Sequence, residues 1–271
     1  MNKFQINKKG QAQALKSIQL SSKDFENKNH IGIHWLGGGG AFINFYVIII
    51  LIDPLLTGFD MPLLIDMVAK PEIIKHVDGY LVSHVDNDHY SRETLKQLKN
   101  ITDEIHASYY VASLMKNECD AKAIGHTWND KFNIKDVEIT ITPCDHDWQN
   151  YVEEFNYRKW DKKEYCGFYL NYKGKKIWYV GDSRLMDEQL KMEAPDVILF
   201  DFSDNEYHIG LNNAYKLADN YPDSKLILIH WGTVDAPEMT PFNGNPQDIL
   251  DNVVNPQRVI ILVPGEEYVL S

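Results

Sequence analysis

Four predicted β-strands of this chain are each followed within three residues by histidine or aspartate. The strands are residues 79–83, 137–142, 176–180 and 226–229, which are apolar or alternate with period two. The residues that follow them are 84–89 (HVDNDH), 145–147 (DHD), Asp182 and His230. Strands that carry such side chains at their ends hold a set of ligands rigidly. The pattern therefore predicts a layered fold around one polar site at the strand ends.

The rest of the chain alternates between predicted strands and helices. Strands are predicted at residues 31–36, 42–52, near 105, and at 167–172, 197–202, 259–263 and 268–270. Helices are predicted at residues 62–69, 71–76, 92–99, 111–117, 212–220 and 246–253. The polar residues 1–28 predict a short helix or tail. Because no repeat or flexible linker divides the chain, we expect one α/β domain over residues 1–271.

A run of four glycines, residues 37–40, separates two of the predicted strands. It has the spacing of neither G-x-G-x-x-G nor G-x-x-x-x-G-K-[ST], and the chain continues as strand instead of opening a helix. A phosphate-binding loop is therefore disfavoured. The run predicts a tight hairpin or a loop beside a site.

Composition disfavours several classes of partner and location. The chain has 39 Asp and Glu against 27 Lys and Arg, a formal net charge of -12, and a surface of this sign repels nucleic-acid backbones. Its most apolar stretch, residues 45–52, predicts one buried strand and is far shorter than the roughly 20 residues of a membrane span. The N-terminus does not resemble a secretory signal, and the three cysteines lack C-x-x-C spacing. We expect a cytoplasmic protein that binds neither nucleic acid nor membrane.

The first polar cluster has the spacing of a metal site. In an extended segment His84, Asp86 and Asp88 point to one side and His89 to the other. Imidazole nitrogen and carboxylate oxygen are ligands of Zn²⁺ and Mn²⁺. The ligand-bearing segments lie too far apart in the chain for a zinc finger and suit a catalytic site with open coordination positions. No G-x-S-x-G motif is present, and Cys144 is expected to be a small buried residue instead of a nucleophile.

These motifs together resemble the metallo-β-lactamase fold. The first cluster is similar to the family's H-x-H-x-D-H signature, His146, Asp182 and His230 follow in the family's order, and Asp53 in LIDP resembles its early Asp-Pro motif. The resemblance covers roughly residues 31–264. It implies a four-layer αββα sandwich and a metal-dependent hydrolase.

Carried over by position, the resemblance implies a site for two divalent ions. His84 and His146 would hold the first ion, and Asp88, His89 and His230 would hold the second. Asp182 would bridge the two ions. The chain departs from the family at Asp86, which stands where the family usually has a histidine. An oxygen donor there shifts the expected preference from zinc toward manganese or iron, or weakens the first site.

The expected reaction is hydrolysis of a small lactone, ester or phosphodiester. Two ions that share a solvent molecule lower the pKa of water and supply a hydroxide, which Asp88 would orient while it takes the proton. The segments WLGGGG, LIDP and HWGTVDAPE resemble the branch that contains ascorbate 6-phosphate lactonases and N-acyl phospholipid phosphodiesterases. Arg184, next to Asp182-Ser183, is a candidate contact for an anionic substrate group, with an exposed helix-start arginine as the alternative.

Other interpretations of the same residues remain open. One alternative is an iron-dependent oxidoreductase on this fold, and another is a non-catalytic member whose first metal site has degenerated at Asp86. A nuclease would need basic surface elements that the charge disfavours. A homo-oligomer is compatible with the sequence. The remaining histidines are expected to be structural or on the surface, with His208 the least secure of this group, which comprises His30, His34, His76, His106, His126 and His208.

Overall fold

The computed structural model describes residues 3–271. This part of the chain contains sixteen strands and four α-helices. The strands are β1 (Phe4–Ile6), β2 (Ala12–Ala14), β3 (Ile31–Gly37), β4 (Gly40–Phe45), β5 (Ile48–Ile52), β6 (Val77–Val82), β7 (Thr102–Ser108), β8 (Ala123–His126), β9 (Lys131–Ile134), β10 (Val137–Pro143), β11 (Cys166–Tyr172), β12 (Lys175–Tyr179), β13 (Val197–Phe200), β14 (Lys225–Leu228), β15 (Val259–Ile260) and β16 (Glu267–Leu270). The helices are α1 (Arg92–Leu98), α2 (Tyr109–Cys119), α3 (Leu211–Asn220) and α4 (Pro246–Asn252).

Two seven-stranded mixed sheets form the centre of the molecule. One has the order β16-β3-β4-β5-β6-β7-β8 and the other β15-β14-β13-β12-β11-β10-β9. In each sheet one half is antiparallel and the other half is parallel. Parallel neighbours need a crossover connection, and helices α1, α2 and α3 lie in such crossovers.

The layers follow from which faces are apolar. Apolar side chains of both sheets meet in one large cluster, and α3 and α4 join it through Ala214, Leu217 and Ile249. Helices α1 and α2 pack on the opposite face of the first sheet through Leu95 and Met115. The predicted four-layer αββα arrangement of the metallo-β-lactamase type is therefore confirmed. No helix in residues 3–271 is long and apolar enough to cross a membrane.

The strands that precede the polar clusters end at a common edge. Strands β5 and β6 are parallel, as are β12, β13 and β14. Strand β10 is antiparallel to β11, which is antiparallel to β12, so β10 points the same way as β12. Because parallel strands finish at the same edge of a sheet, distant parts of the chain meet there.

Three predictions of local structure were wrong. Within residues 3–28 the chain forms the β1–β2 hairpin and a 3₁₀ turn at Ser22–Phe25 instead of a helix or tail, because Ala12 and Ala14 are buried against the main core. The stretch 62–76 contains only a 3₁₀ turn at Pro71–Ile73, since Leu63 pairs with Val234 instead of continuing a helix. Residues 42–52 form two strands, because the chain turns at Tyr46 (φ 65°).

A histidine pair closes the sandwich where the edge strands β8 and β9 face each other. His106 Nδ1 lies 2.9 Å from His126 Nε2, and both rings stack on Phe132. Burial, reinforced by the charge of His126, lowers the pKa of His106 to about 3. His106 is therefore neutral in the folded protein well below the pH at which the unfolded chain protonates it.

Acid should therefore destabilise the fold through His106. In the unfolded chain His106 has its ordinary pKa of about 6.5 and binds a proton below that pH, whereas in the folded protein His106 stays neutral. The free energy of unfolding therefore falls as pH drops toward 3. The loss between pH 7 and pH 5 is about 2 kcal/mol. Urea unfolding of wild type and His106→Phe at both pH values measures it, and the variant should lose less stability. An equal loss in the two proteins would exclude His106 as the cause.

Candidate metal centre

The structure brings all seven predicted ligands together at the common strand edge. The segment after β6 supplies four of them, and the segments after β10, β12 and β14 supply one each. All are buried except Asp86, which is partly buried with 15% of its side chain exposed. The seven residues are His84, Asp86, Asp88, His89, His146, Asp182 and His230.

Four of these residues form one group of donor atoms. One ligand atom each from Asp88, His89, Asp182 and His230 lies within 4.8 Å of the others. Asp182 Oδ2 is 3.0 Å from His89 Nε2 and 3.3 Å from His230 Nε2, and Asp88 Oδ2 is 3.1 Å from His230 Nε2. Two ligand atoms that each lie about 2.1 Å from one ion are separated by about 3.0 to 3.5 Å, so these spacings fit a shared ion.

A second group uses Asp182 again. One ligand atom each from His84, His146 and Asp182 lies within 4.8 Å of the others. Asp86 Oδ2 is 3.4 Å from His84 Nε2 and 3.3 Å from His146 Nε2. Asp86 therefore occupies the position expected of an oxygen donor beside two imidazoles. Asp182 is the residue common to both groups.

The histidine rings are oriented as metal ligands require. His84 Nε2 and His89 Nε2 are buried and make no hydrogen bond, although carboxylate oxygens lie close to both. A buried nitrogen without a hydrogen bond costs free energy unless another partner takes its lone pair. A divalent cation is such a partner, so the residues present fit the metals that the resemblance implies.

Hydrogen bonds on the other side of each ring fix its tautomer. His146 Nδ1 donates to Tyr207 O at 2.7 Å and His230 Nδ1 donates to Pro241 O at 3.0 Å. A carbonyl oxygen only accepts, so Nδ1 carries the hydrogen and the neutral ring presents a lone pair at Nε2. This outer support is what usually orients metal-ligating histidines.

Asp53 supports the site through hydrogen bonds to residues around it. It is fully buried, and its carboxylate accepts hydrogen bonds from Ser83, from His89 Nδ1 at 2.8 Å and from Tyr179 Oη at 2.7 Å. Its contacts place it as a positioning residue for His89. Asp53 itself has φ 45°, a strained backbone conformation of the kind that functional sites retain.

The glycine run forms the predicted hairpin beside the site. Gly37 pairs with Gly40 across the β3–β4 turn, and Gly38 O accepts from His230 N at 2.9 Å. A Cβ on Gly39 would overlap the His89 ring. A side chain at this position would therefore displace a predicted ligand, and the lack of one lets the turn pack directly on the site.

Asp86 is held by donors that the sequence did not reveal. Trp148 Nε1 donates to Asp86 Oδ2 at 2.7 Å and Gln149 Nε2 donates to Asp86 Oδ1 at 2.6 Å. Tyr165 Oη in turn donates to Gln149 Oε1 at 2.5 Å, which fixes the orientation of the amide. The charges of His84 and His146 hold the pKa of Asp86 below its ordinary value although burial raises it, so the carboxylate is ionised.

His208, the least secure of the histidines expected to be structural or on the surface, lies beside the donor groups. His208 is buried, and its Nδ1 donates to Asp201 Oδ2 at 2.5 Å while lying 3.7 Å from Asp182 Oδ2. One ligand atom each from Asp182, Asp201, His208 and His230 lies within 4.8 Å of the others. Asp201 directly follows β13, so the rule of polar residues after apolar strands could have found it. His208 lies in the loop beyond, which the rule does not reach.

The sequence suggested that Arg184 contacts an anionic group of the substrate, but in the structure its guanidinium bonds side chains and backbone of the protein. Its Nη1 donates to Asp145 at 3.0 Å and to Asp147 at 2.9 Å, and its Nε donates to Glu206 O. It does not line the cavity at the site. These contacts tie the segment after β10 to the loop that carries His208, and they favour an anchoring role.

Buried carboxylates dominate the electrostatics of the site. Burial lowers the pKa of His230, but Asp182 and the hydrogen bond with Asp88 outweigh it and raise the pKa to about 10. The charges of His230 and His89 likewise hold the pKa of Asp182 well below its ordinary value despite burial. The carboxylates are therefore ionised and attract positive charge, either as protons on imidazole or as bound cations.

A cavity of about 580 Å³ opens over these residues. Asp86, Asp88, His146, Asp182 and His230 form part of its lining, as does His208. A small molecule in the cavity would therefore meet both donor groups.

The fold and the donor groups together define a metallo-β-lactamase-type sandwich with a candidate metal centre at its strand edge. A family model described as "Beta-lactamase superfamily domain" matches residues 49–231, and the chain belongs to this family. The chain is 27% identical over 226 residues to a UPF0173 metal-dependent hydrolase from Pyrococcus abyssi. The matched region covers 82% of this chain and 92% of that protein.

Solved structures show the same fold. The metallo hydrolase Igni18 from Ignicoccus hospitalis superposes with a TM-score of 0.70 at 17% identity, over 90% of this chain and 99% of that chain. A possible metal-dependent hydrolase from Veillonella parvula gives a TM-score of 0.71 at 16% identity, over 89% of this chain and all (100%) of that one.

Loss of the Gln149 amide should weaken metal binding at the second group, His84, His146 and Asp182, beside which Asp86 lies. In Gln149→Leu the Asp86 carboxylate loses one of its two donors, and loss of such outer support typically costs 10-fold to 100-fold in metal affinity. Chelator competition with Zn²⁺ and Mn²⁺ measures the two dissociation constants. Tyr165→Phe, which keeps the amide, is the matched control and should lie closer to wild type. Unchanged affinity in Gln149→Leu would show that the amide does not support the site.

Proposed function

We propose that this protein is an enzyme, a metal-dependent hydrolase that holds two divalent ions and acts on a small-molecule lactone, ester or phosphodiester. The observation that carries the proposal is that Asp182 belongs to both donor groups. His84, Asp86 and His146 would hold the first ion, and Asp88, His89 and His230 the second. Asp182 would bridge them. The name of the Pyrococcus relative agrees with this class of reaction.

Bound ions would supply a hydroxide at neutral pH and polarise the bond under attack. The chain itself would orient the reactants and move protons. Asp88 lines the cavity, and the charges of His89 and His230 hold its pKa below the ordinary value although burial raises it. Its carboxylate is therefore ionised and can accept a proton from the attacking water.

His208 is suited to deliver a proton to the leaving group. Its ring lines the cavity, and its Nδ1 is held by Asp201, so Nε2 is the atom available to a substrate. A histidine held by a carboxylate on one nitrogen donates and accepts protons through the other. Asp88 and His208 would thus act at the two ends of the bond that breaks.

Asp86 bears on the identity of the metals. We propose zinc or manganese, with iron as the alternative, and the oxygen that Asp86 contributes where a histidine is usual favours manganese or iron over zinc. The hydrogen bonds from Trp148 and Gln149 hold the Asp86 carboxylate beside the imidazoles of His84 and His146. This support favours Asp86 as a metal ligand over a first metal site that has degenerated. Cys119, Cys144 and Cys166 are buried thiols, in keeping with the cytoplasmic location expected from the sequence.

Metal analysis of protein purified without added metal tests the proposal. We expect about two equivalents of zinc or manganese per chain, and hydrolysis of a panel of lactones, carboxylic esters and phosphodiesters that a chelator abolishes. Asp182→Asn should lose both ions, because it removes the shared carboxylate, while Asp187→Asn, the same change at an exposed aspartate outside these groups, should bind two. Iron with a visible absorption band would favour the oxidoreductase, and absence of bound metal would refute both functions.

A graded set of leaving groups tests the role of His208. In His208→Gln, kcat should fall by at least tenfold for esters of weakly acidic alcohols, because these leaving groups need a proton, and much less for p-nitrophenyl esters. Steady-state kinetics and the metal-to-protein ratio should be measured together, with the ratio unchanged. An equal fall for all leaving groups would assign His208 to metal or substrate binding instead.

A further inference from the structure

We infer that the cavity selects a neutral substrate with an apolar acyl or aryl group, and that it discriminates against substrates that carry a remote anionic group such as a sugar phosphate. This inference rests on the proposed hydrolase function and specifies its substrate class. It differs from the anionic substrate that the sequence suggested. Two features of the lining carry it: apolar walls and the lack of basic residues.

The apolar walls come from two irregular segments on either side of the donor groups. Trp148, Phe155 and Tyr157 line the cavity from the segment after His146, and Met239 and Phe242 line it from the segment after His230. Trp148 and Phe155 contact each other edge to face, with ring centroids 4.9 Å apart. Both segments carry contacts to predicted ligands, since Trp148 bonds Asp86 and Pro241 O accepts from His230.

Three of these apolar side chains are exposed to the solvent-filled cavity and its mouth. Tyr157 is 72% exposed, Met239 is 39% exposed and Phe155 is 37% exposed. Apolar surface in contact with water is unfavourable, so these side chains would lower their free energy by packing against an apolar ligand. An acyl chain or aromatic ring of a substrate would cover this surface while its carbonyl reached the donor groups.

The charge of the lining disfavours a remote anion. The charged side chains that line the cavity, apart from its histidines, are Asp60, Asp86, Asp88 and Asp182. Asp60 is exposed near the mouth, where Asn87 Nδ2 donates to it at 2.7 Å. No lysine or arginine of residues 3–271 is part of this lining. A substrate phosphate or carboxylate away from the ions would therefore lack a cationic partner and face carboxylates.

Three basic side chains that are close in sequence to lining residues are paired with acidic ones. Arg184 bonds Asp145 and Asp147. Lys162 Nζ lies 2.6 Å from Asp145 Oδ2, and Arg158 Nη2 lies 2.6 Å from Glu164 Oε2. The Arg158 guanidinium also stacks 3.7 Å from the centroid of Trp160, on the outer side of the wall. Recruiting Arg184 or Arg158 to a substrate would leave Asp147 or Glu164, respectively, without its cationic partner.

Three p-nitrophenyl esters with the same reactive group test the inference. They are the acetate, the hexanoate and the mono-ester of adipate, which has the hexanoate chain length with a terminal carboxylate. Since each buried methylene is worth about fourfold in binding, kcat/KM for the hexanoate should exceed those for the acetate and the adipate by at least tenfold. Tyr157→Ser and Phe155→Ser should reduce the hexanoate-to-acetate ratio through KM.

A matched control separates the cavity from the rest of the surface. Tyr109 is 66% exposed, similar to Tyr157, but begins α2 and does not line the cavity. Tyr109→Ser should keep the wild-type ratio. If wild type hydrolyses all three esters with similar kcat/KM, or favours the adipate, the inference is overturned while the hydrolase function stands.

A binding measurement tests the substrate class even if the protein hydrolyses none of the esters. Saturation-transfer NMR on the metal-loaded protein compares hexanamide with adipamic acid, its analogue with a terminal carboxylate. We expect hexanamide to bind at least tenfold more tightly, with loss of this preference in Tyr157→Ser. If this preference holds but no ester or lactone is hydrolysed, the proposed function fails and the substrate class stands. Equal binding of the two amides would overturn the substrate class.

Discussion

The structure depends on a concentration of buried negative charge at one edge of two sheets. Asp53, Asp88, Asp182 and Asp201 are buried there, and Asp86 is only partly exposed. Ionised carboxylates removed from water need close positive partners. Imidazoles surround them, and the same histidines leave nitrogens that fit divalent ions. The backbone at Asp53 and His230 lies in the left-handed region, and the glycine turn packs directly against the His89 ring.

The layered fold holds these buried carboxylates close together. Strands β6, β10, β12 and β14 come from distant parts of the chain, and each is fixed along its length by ladder hydrogen bonds and an apolar core. The ends of these strands therefore have little freedom, so the donor atoms stay close despite their repulsion. Asp86 follows the same principle, because Trp148 and Gln149 hold its carboxylate beside His84 and His146.

The candidate metal centre and the cavity beside it are built from the same segments of the chain. The segment that begins with Trp148 and Gln149 orients Asp86 and also supplies an aromatic wall. The segment after His230 fixes that ring through Pro241 O and supplies the opposite wall. A change in either wall is therefore expected to affect metal binding as well as substrate choice. Such coupling lets one fold support many hydrolases through variation in its loops.

The sequence by itself determined the family and the strand-end pattern and predicted the seven ligands, because apolar periodicity and the spacing of His and Asp are local properties of the chain. Only the tertiary structure decided what depends on distant contacts. It brought Asp201 and His208 to the site and gave Arg184 two carboxylate partners. It also made residues 4–14 a hairpin, since Ala12 and Ala14 are buried against the core. The partners of these residues are remote in the chain, and no local pattern encodes them.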